Sequence, residues 1–177
     1  VERAITPQEL RNEFPISDNS SETVYNSRRI IKDIVEGRDK RFLAITGPCS
    51  IHDEVAALEY AERLNKLRVK YEDRLYIVMR VYFEKPRTSV GWKGLINDPQ
   101  LDGSCDIMEG LRKARRILLK INEIGVPAAT EFLETITPQY VDDLVRWAAI
   151  GARTSANDAR SSASGRSGTA NPAWPAP

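Results

Sequence analysis

Histidine, cysteine and net charge are all scarce in this chain. It holds one histidine and two cysteines in 177 residues. Cys49 and Cys105 sit in different local contexts and no secretory signal precedes them, so they read as separate thiols and not as a disulfide framework. Lys and Arg number 26 against 25 Asp and Glu, a formal net charge of +1. That balance gives no global attraction to nucleic acid or to an acidic membrane, so any charge-based function must come from local clusters. No apolar run approaches the length that spans a bilayer. The start, Val1-Glu2-Arg3-Ala4, is followed by no apolar stretch of the signal-peptide kind. With 41% hydrophobic residues the chain can bury a core, and the expectation is a soluble cytoplasmic α/β domain.

The order of elements follows from periodicity and punctuation. Thr6-Pro7-Gln8-Glu9 reads as an N-cap, a proline at the first helical position and a capping-box acid. A second helix is expected from about Ser20 to Val35, stopped by Gly37, with apolar Val24, Ile30, Ile31, Ile34 and Val35. Arg41–Thr46 reads as a buried strand and Asp53 to Lys70 as a helix whose apolar positions are Val55, Ala56, Leu58, Ala61, Leu64 and Leu67. Leu75–Tyr82 is a second strand, followed by a long polar loop, Glu84 to Ser104. A helix from about Asp106 to Ile124 ends at Gly125, and Val126–Phe132 is a third strand. Thr137-Pro138-Gln139 opens a helix running to about Trp147, and Ala149–Arg153 is a fourth strand. Such alternation predicts parallel strands joined by crossover helices. From Ser155 to Pro177 there is no Leu, Ile, Val, Met or Phe, and this segment is expected to be disordered.

Chemistry concentrates where strands end. Arg80, Lys85, Arg87 and Lys93 lie at and beyond the end of the second strand, interspersed with Pro86, Gly91 and Gly94. Carboxyl ends of parallel strands are where ligands sit, and clustered Arg and Lys suit phosphate and carboxylate groups. The bland alternative is a solvated basic loop balanced by Glu84 and Asp98. Gly47-Pro48-Cys49-Ser50-Ile51-His52-Asp53 ends the first strand; a cysteine there is a candidate metal ligand or nucleophile. His52 reads as a supporting side chain and Cys105 as an incidental small residue. Glu131 and Arg153 end the third and fourth strands. Cys49, Arg80, Glu131 and Arg153 thus recur at four strand ends, which a shared site requires and a core does not.

GPCSIHD at 47–53, MRVYFEKPRTSVGWKGLINDP at 79–99, TPQY at 137–140 and AIGART at 149–154 resemble class I 3-deoxy-D-arabino-heptulosonate-7-phosphate (DAHP) synthases, also called phospho-2-dehydro-3-deoxyheptonate aldolases. The resemblance covers about residues 1–154. It implies a TIM (β/α)8 barrel with an N-terminal extension, here its first four strands: 1–40 the helical extension, 41–154 the half-barrel, 155–177 a tail foreign to the family. It implies a cytoplasmic transferase that condenses phosphoenolpyruvate with erythrose 4-phosphate, the first step of aromatic amino-acid biosynthesis by the shikimate pathway. By motif, Cys49 would be a ligand of a divalent metal (Mn, Fe, Co or Zn type), and Cys49 and Lys85 would act in catalysis. Arg80, Lys85 and Arg153 would bind phosphoenolpyruvate, with Glu131 lining that pocket. Pro86, Arg87 and Thr88 would contact erythrose 4-phosphate. Family members are homo-oligomers inhibited by an aromatic amino acid, and TPQEL and FPIS in the arm resemble the tyrosine-sensitive subgroup.

The pattern that follows AIGART in the family is missing here, and with it the other expected metal ligands. The Ala/Arg/Ser/Gly/Pro-rich end is what an out-of-frame reading of GC-rich DNA gives. The second expectation is therefore a truncated, inactive half-barrel that at most associates with other chains.

Overall fold

The structure, a computed structural model, describes residues 3–85 and 91–150. Two helices precede the sheet, α1 (Pro7–Glu13) and α2 (Asp18–Val35). Thr6 caps α1 as expected: its hydroxyl accepts from Glu9 N at 3.2 Å, while the Glu9 carboxylate accepts from Thr6 N at 2.8 Å. The α2 helix begins two residues before its expected start because Ser17 is an N-cap, accepting from Ser20 N. It ends ahead of Gly37, whose φ of 75° supplies the left-handed turn.

Strand and helix then alternate: β1 (Phe42–Thr46), α3 (Glu54–Lys70), β2 (Leu75–Arg80), α4 (Ile107–Glu123), β3 (Ala128–Phe132), α5 (Pro138–Val141), a 3-10 turn (Asp142–Leu144) and β4 (Trp147–Ile150). The strands lie in the order β1-β2-β3-β4 and pair in parallel throughout. This is half of a barrel, as expected. Alternate residues put two apolar sets on the two faces. On the outward face, Ile77, Met79 and Ala128 meet α3 and α4. Along α4, Leu111, Ala114, Ile117, Leu118 and Ile121 fall at helical spacing on one buried stripe. Burying each of the larger ones contributes roughly 1.5–3 kcal/mol. On the inward face, Tyr76, Val78 and Ala129 are covered by Ile31 of α2, with Ile30, Ile34, Leu43 and Trp147 around them.

Four expectations are corrected. β1 is not buried: Phe42 is 70% and Ile45 38% exposed, because among the described residues β1 has a neighbour on one side only. The buried seam of α3 is Ala57, Ala61 and Leu64, while Val55 and Leu67 are exposed; the small alanines let the helix approach the sheet. No helix runs from Pro138 to Trp147. Thr137 makes no side-chain cap, α5 stops at Val141, and Arg146 N donates to Ala128 O at 2.9 Å. That ladder bond draws the chain into β4, which starts two residues before its expected first residue, Ala149. Residues 151–153 of the expected fourth strand, and the tail from 155, lie outside the described residues.

Two arginines decide how this corner holds. Arg115 of α4 is 1% exposed. Its guanidinium donates to Phe14 O (2.8 Å), Tyr140 O (2.9 Å) and both oxygens of Asp143 (2.8 Å each). Arg146 is also buried, yet among the described residues its Nε and Nη1 have no acceptor and Nη2 alone reaches one, Asn122 Oδ1 at 3.2 Å. Burial, joined by the nearby Arg28 charge, holds its pKa well below the usual arginine value. A satisfied buried ion pair is costly to break, whereas an uncompensated one is no asset. Arg115→Met should therefore destabilise the fold by about 3 kcal/mol, and Arg146→Met should leave stability unchanged or raise it by about 1 kcal/mol. Urea midpoints of both variants check this; a larger loss for Arg146→Met than for Arg115→Met would contradict it.

Candidate functional site

The carboxyl ends of β1, β2 and β3 open on one side of the sheet, and Gly47 brings the first two together. A Cβ at Gly47 would lie 2.5 Å from Arg80 O, so only glycine lets the chain leave β1 this close to β2. The exchange is reciprocal: Arg80 Nη2 donates to Gly47 O at 2.9 Å and Nε to Pro48 O at 3.1 Å. Arg80 also lies over the Tyr82 ring, 5.3 Å from its centroid. One turn further, Lys85 Nζ donates to Cys49 O at 2.8 Å and to Cys49 Sγ at 3.1 Å. Ile51 N donates to Tyr82 O, fastening the same loop again.

Neither cation is matched by a carboxylate in an ion pair among the described residues. Arg80 and Lys85 are held by carbonyls, a sulfur and a ring. Neutral acceptors fix the position of a charge without cancelling it, so both remain electrostatically available to an anion. Alternation along β2 and β3 places Arg80 and Glu131 on the inward face with Tyr76, Val78 and Ala129. The Tyr82 phenol connects them: burial, then the Glu131 charge, raises its pKa, and Arg80 opposes the rise.

The structure thus gathers Cys49, Arg80, Lys85 and Glu131. Pro86, Arg87, Thr88 and Arg153 lie outside the described residues. Lys93 is exposed, and its carbonyl, not its ammonium, joins the loop by accepting from Lys85 N at 2.9 Å. His52 is exposed and makes no side-chain hydrogen bond among the described residues. Cys105 is exposed at a φ of 56°. Asp98 does not balance the basic loop: its carboxylate accepts from Gly103 N at 3.2 Å and caps its own turn.

Glu84 belongs to the site in a way that the basic-loop reading overlooks. Burial raises its carboxyl to about 7; the like charges of Glu134 and Glu131 add to the shift, and a hydrogen bond from Asn97 opposes it. Gly94, at φ 106°, creates that environment, since a Cβ there would collide with Phe83 O. The loop can fold back over Glu84 only because Gly94 has none. The sequence signal was present in the two glycines flanking Lys93, but their meaning depends on what the loop covers.

Comparison with known proteins identifies the family. The DAHP synthetase I family is matched over residues 13–170. This chain belongs to that family. The Trp-sensitive and Phe-sensitive phospho-2-dehydro-3-deoxyheptonate aldolases of Escherichia coli K12 are 56% and 57% identical to it over 154 residues. In both cases the alignment takes in 87% of this chain and 44% of the relative. The solved phospho-2-dehydro-3-deoxyheptonate aldolase of Francisella tularensis SCHU S4 matches with a TM-score of 0.84 at 50% identity, over 86% of this chain and 45% of that one. The chain therefore spans less than half the length of these relatives. The family resemblance and the half-barrel fold expected from sequence are both borne out. Among the described residues no helix is long and apolar enough to cross a membrane.

A resident divalent metal would need several ligands together. Among the described residues no three His, Cys, Asp or Glu side chains converge, and Cys49, already the acceptor of the Lys85 ammonium, is exposed. The described residues do not fit a closed metal site, and no chemical step is derived through one.

The Glu84 environment has a measurable consequence. A carboxyl raised from 4.5 to about 7 binds its proton more tightly folded than unfolded, so stability is greatest below the unfolded value and falls as pH rises toward 7. The fall should amount to about 3 kcal/mol, and Glu84→Gln should flatten it. Urea unfolding at pH 4.5 through 8 for both chains checks this; parallel curves would contradict it.

Proposed function

We propose that this chain carries the substrate-anchoring half of a DAHP synthase site, the part that holds phosphoenolpyruvate for condensation with erythrose 4-phosphate. The observation behind the reading is the pair Arg80 and Lys85, positioned by neutral acceptors at the mouth of a parallel sheet. Phosphoenolpyruvate carries a carboxylate and a phosphate, and two fixed cations suit it. Arg80 Nη1 makes no hydrogen bond among the described residues, so it and the Lys85 ammonium are the donors that face an anion in this reading. Electrostatic stabilisation of this kind acts without reorganisation because the cations are already in place.

In the reaction proposed, C3 of phosphoenolpyruvate forms a bond to the aldehyde carbon of erythrose 4-phosphate. Water adds at C2, and phosphate leaves with its bridging oxygen. The role of this chain's residues is to bind and orient the first substrate. Glu131, on the same face of the sheet as Arg80, is proposed to line the phosphoenolpyruvate pocket. Glu84, neutral below about 7, adds a proton-bearing group there. Pro86, Arg87 and Thr88 are proposed contacts of erythrose 4-phosphate, and Arg153 a further cation for phosphoenolpyruvate. An aromatic amino acid as inhibitor is proposed from the relatives' names, which read Trp-sensitive and Phe-sensitive. The cytoplasm is the proposed compartment, and a divalent metal is proposed only for a site completed by ligands beyond Cys49.

An alternative reading, an inert half-barrel, is favoured by the absence of a converged metal-ligand set among the described residues. Substrate binding without turnover separates the two. Calorimetric titration of the 177-residue chain with phosphoenolpyruvate should show binding that Arg80→Ala weakens at least about tenfold, roughly 1.4 kcal/mol. Arg63→Ala, on the exposed side of α3, should leave it unchanged. No binding by the parent chain, or equal binding by all three, would overturn the anchoring role.

A further inference from the structure

We infer that the bond between Asp102 and Gly103 rearranges itself, passing through a cyclic imide to an isoaspartyl linkage. The inference rests on the loop ahead of α4 and not on the proposed reaction. Asp102 is the only aspartate or asparagine in the chain that precedes a glycine. Glycine matters because the attacking atom is the next backbone nitrogen, which a side chain would shield. The space beside Gly103 is open, since a Cβ there would have no heavy atom within 4 Å. Asp102, Gly103 and Ser104 are all exposed, so water reaches the bond.

The groups around that bond supply what the chemistry needs. Ser104 N donates to Asp102 Oδ1 at 2.9 Å. The ring that this hydrogen bond closes runs through both Asp102 Cγ and Gly103 N, so it folds the carboxyl back over its own chain. The same N–H stabilises negative charge developing on Oδ1, as backbone donors do for tetrahedral intermediates. Gly103 N, the nucleophile, donates to the Asp98 carboxylate, at 3.2 Å to Oδ1 and 3.3 Å to Oδ2. Asp98 is thus placed as a general base, within hydrogen-bond reach of the proton to be removed. Its own position is fixed: Asp98 N donates to Gly94 O at 3.0 Å, and its carbonyl accepts from Trp92 Nε1 at 2.9 Å. Backbone strain collects here too. Leu101 and Cys105, at φ 61° and 56°, are the two residues other than glycine with positive φ among the described residues, and they bracket the bond.

The rearrangement balances with water as its only co-reactant. Gly103 N bonds to Asp102 Cγ while its proton passes to Asp98. Asp98 returns that proton to Oδ2, which leaves as hydroxide and is neutralised by solvent. Water then adds to the main-chain carbonyl carbon of Asp102, and the bond from that carbon to Gly103 N breaks. The main chain now runs through Cβ and Cγ, and the former carbonyl is a free carboxylate. One oxygen has been exchanged with water and nothing is oxidised or reduced. The loop gains one methylene between Leu101 and Cys105, slack that lets both leave the left-handed region.

Ageing the 177-residue chain in water labelled with heavy oxygen tests this. The tryptic peptide spanning 94–112 should gain one heavy oxygen and become a substrate for an isoaspartyl carboxyl methyltransferase, the probe of the new linkage. Asp98→Asn keeps an acceptor for Gly103 N but cannot take its proton, and it should slow conversion at least about tenfold. Should that variant fail to fold, the parent chain aged in urea is the second comparison. Unfolding scatters base and donor, and conversion should again slow at least about tenfold. No methylatable linkage in the aged parent, equal rates in the parent and Asp98→Asn, or conversion as fast in urea as in the folded chain would overturn the built-in rearrangement.

Discussion

The buried guanidinium of Arg115 is the constraint on which the arm, the helices and the last strand all depend. It makes four bonds to three segments: the end of α1 through Phe14 O, α5 through Tyr140 O, and the 3-10 turn through both oxygens of Asp143. A side chain 1% exposed cannot turn to water for substitutes. The geometry of these acceptors is therefore fixed by one planar fork. Asp143 held in this way shapes the turn that ends at Leu144, and two residues later the chain enters β4. The arm is bound at a second point by the Tyr140 hydroxyl, which donates to Ile5 O at 2.8 Å. An N-terminal extension is thereby part of the half-barrel's core and not an appendage.

A contrast between satisfied and unsatisfied charge runs through the molecule. Arg115 has its carboxylate; Arg80 and Lys85 have carbonyls and a thiol group in its place. The first arrangement consumes the cation in the fold, whereas the second spends only its direction. Glu84 is the acidic counterpart. Its carboxyl is desolvated and surrounded by like charges, so it tends to keep its proton close to neutrality instead of pairing with the lysine next to it in sequence. A basic loop whose acid is neutral retains its positive potential. That is a property of the fold and not of the composition, which is nearly balanced.

How much of this could be read from the chain follows from the range of each interaction. Caps are local: Thr6 and Glu9 are three residues apart, and their pairing was legible. Parallel pairing followed from alternation, and the gathering of Cys49, Arg80 and Glu131 followed from their strand-end positions, with Lys85 just beyond the second strand. What escaped depends on distant partners. The segment from Pro138 to Trp147 has helical local character, but Arg115 and Ala128 O, from α4 and β3, divide it into a turn and a strand. The exposure of Phe42 depends on β1 having no outer neighbour among the described residues. The raised carboxyl of Glu84 depends first on its burial under the folded-back loop and then on Glu134, fifty residues away in the chain's numbering.

Unequal completion of the two faces explains why the site is firmer on one side than the other. The outward core, with Ile117, Leu118 and Ile121 each fully buried, is complete within the described residues. The inward core is complete only near α2, where Val78 is fully buried, and it thins one strand away at Ile45. Side chains at the end of β2 therefore inherit position from packing on both faces. The Cys49 loop, leaving the thinner strand, depends on bonds instead: Arg80 to Gly47 O and Pro48 O, Lys85 to Cys49 O, and Ile51 N to Tyr82 O. Each of these runs from β1's loop to β2 or its continuation. The order of the cysteine is thus borrowed from the cations beside it, and an anion that draws Arg80 and Lys85 toward itself must also act on the loop that carries Cys49.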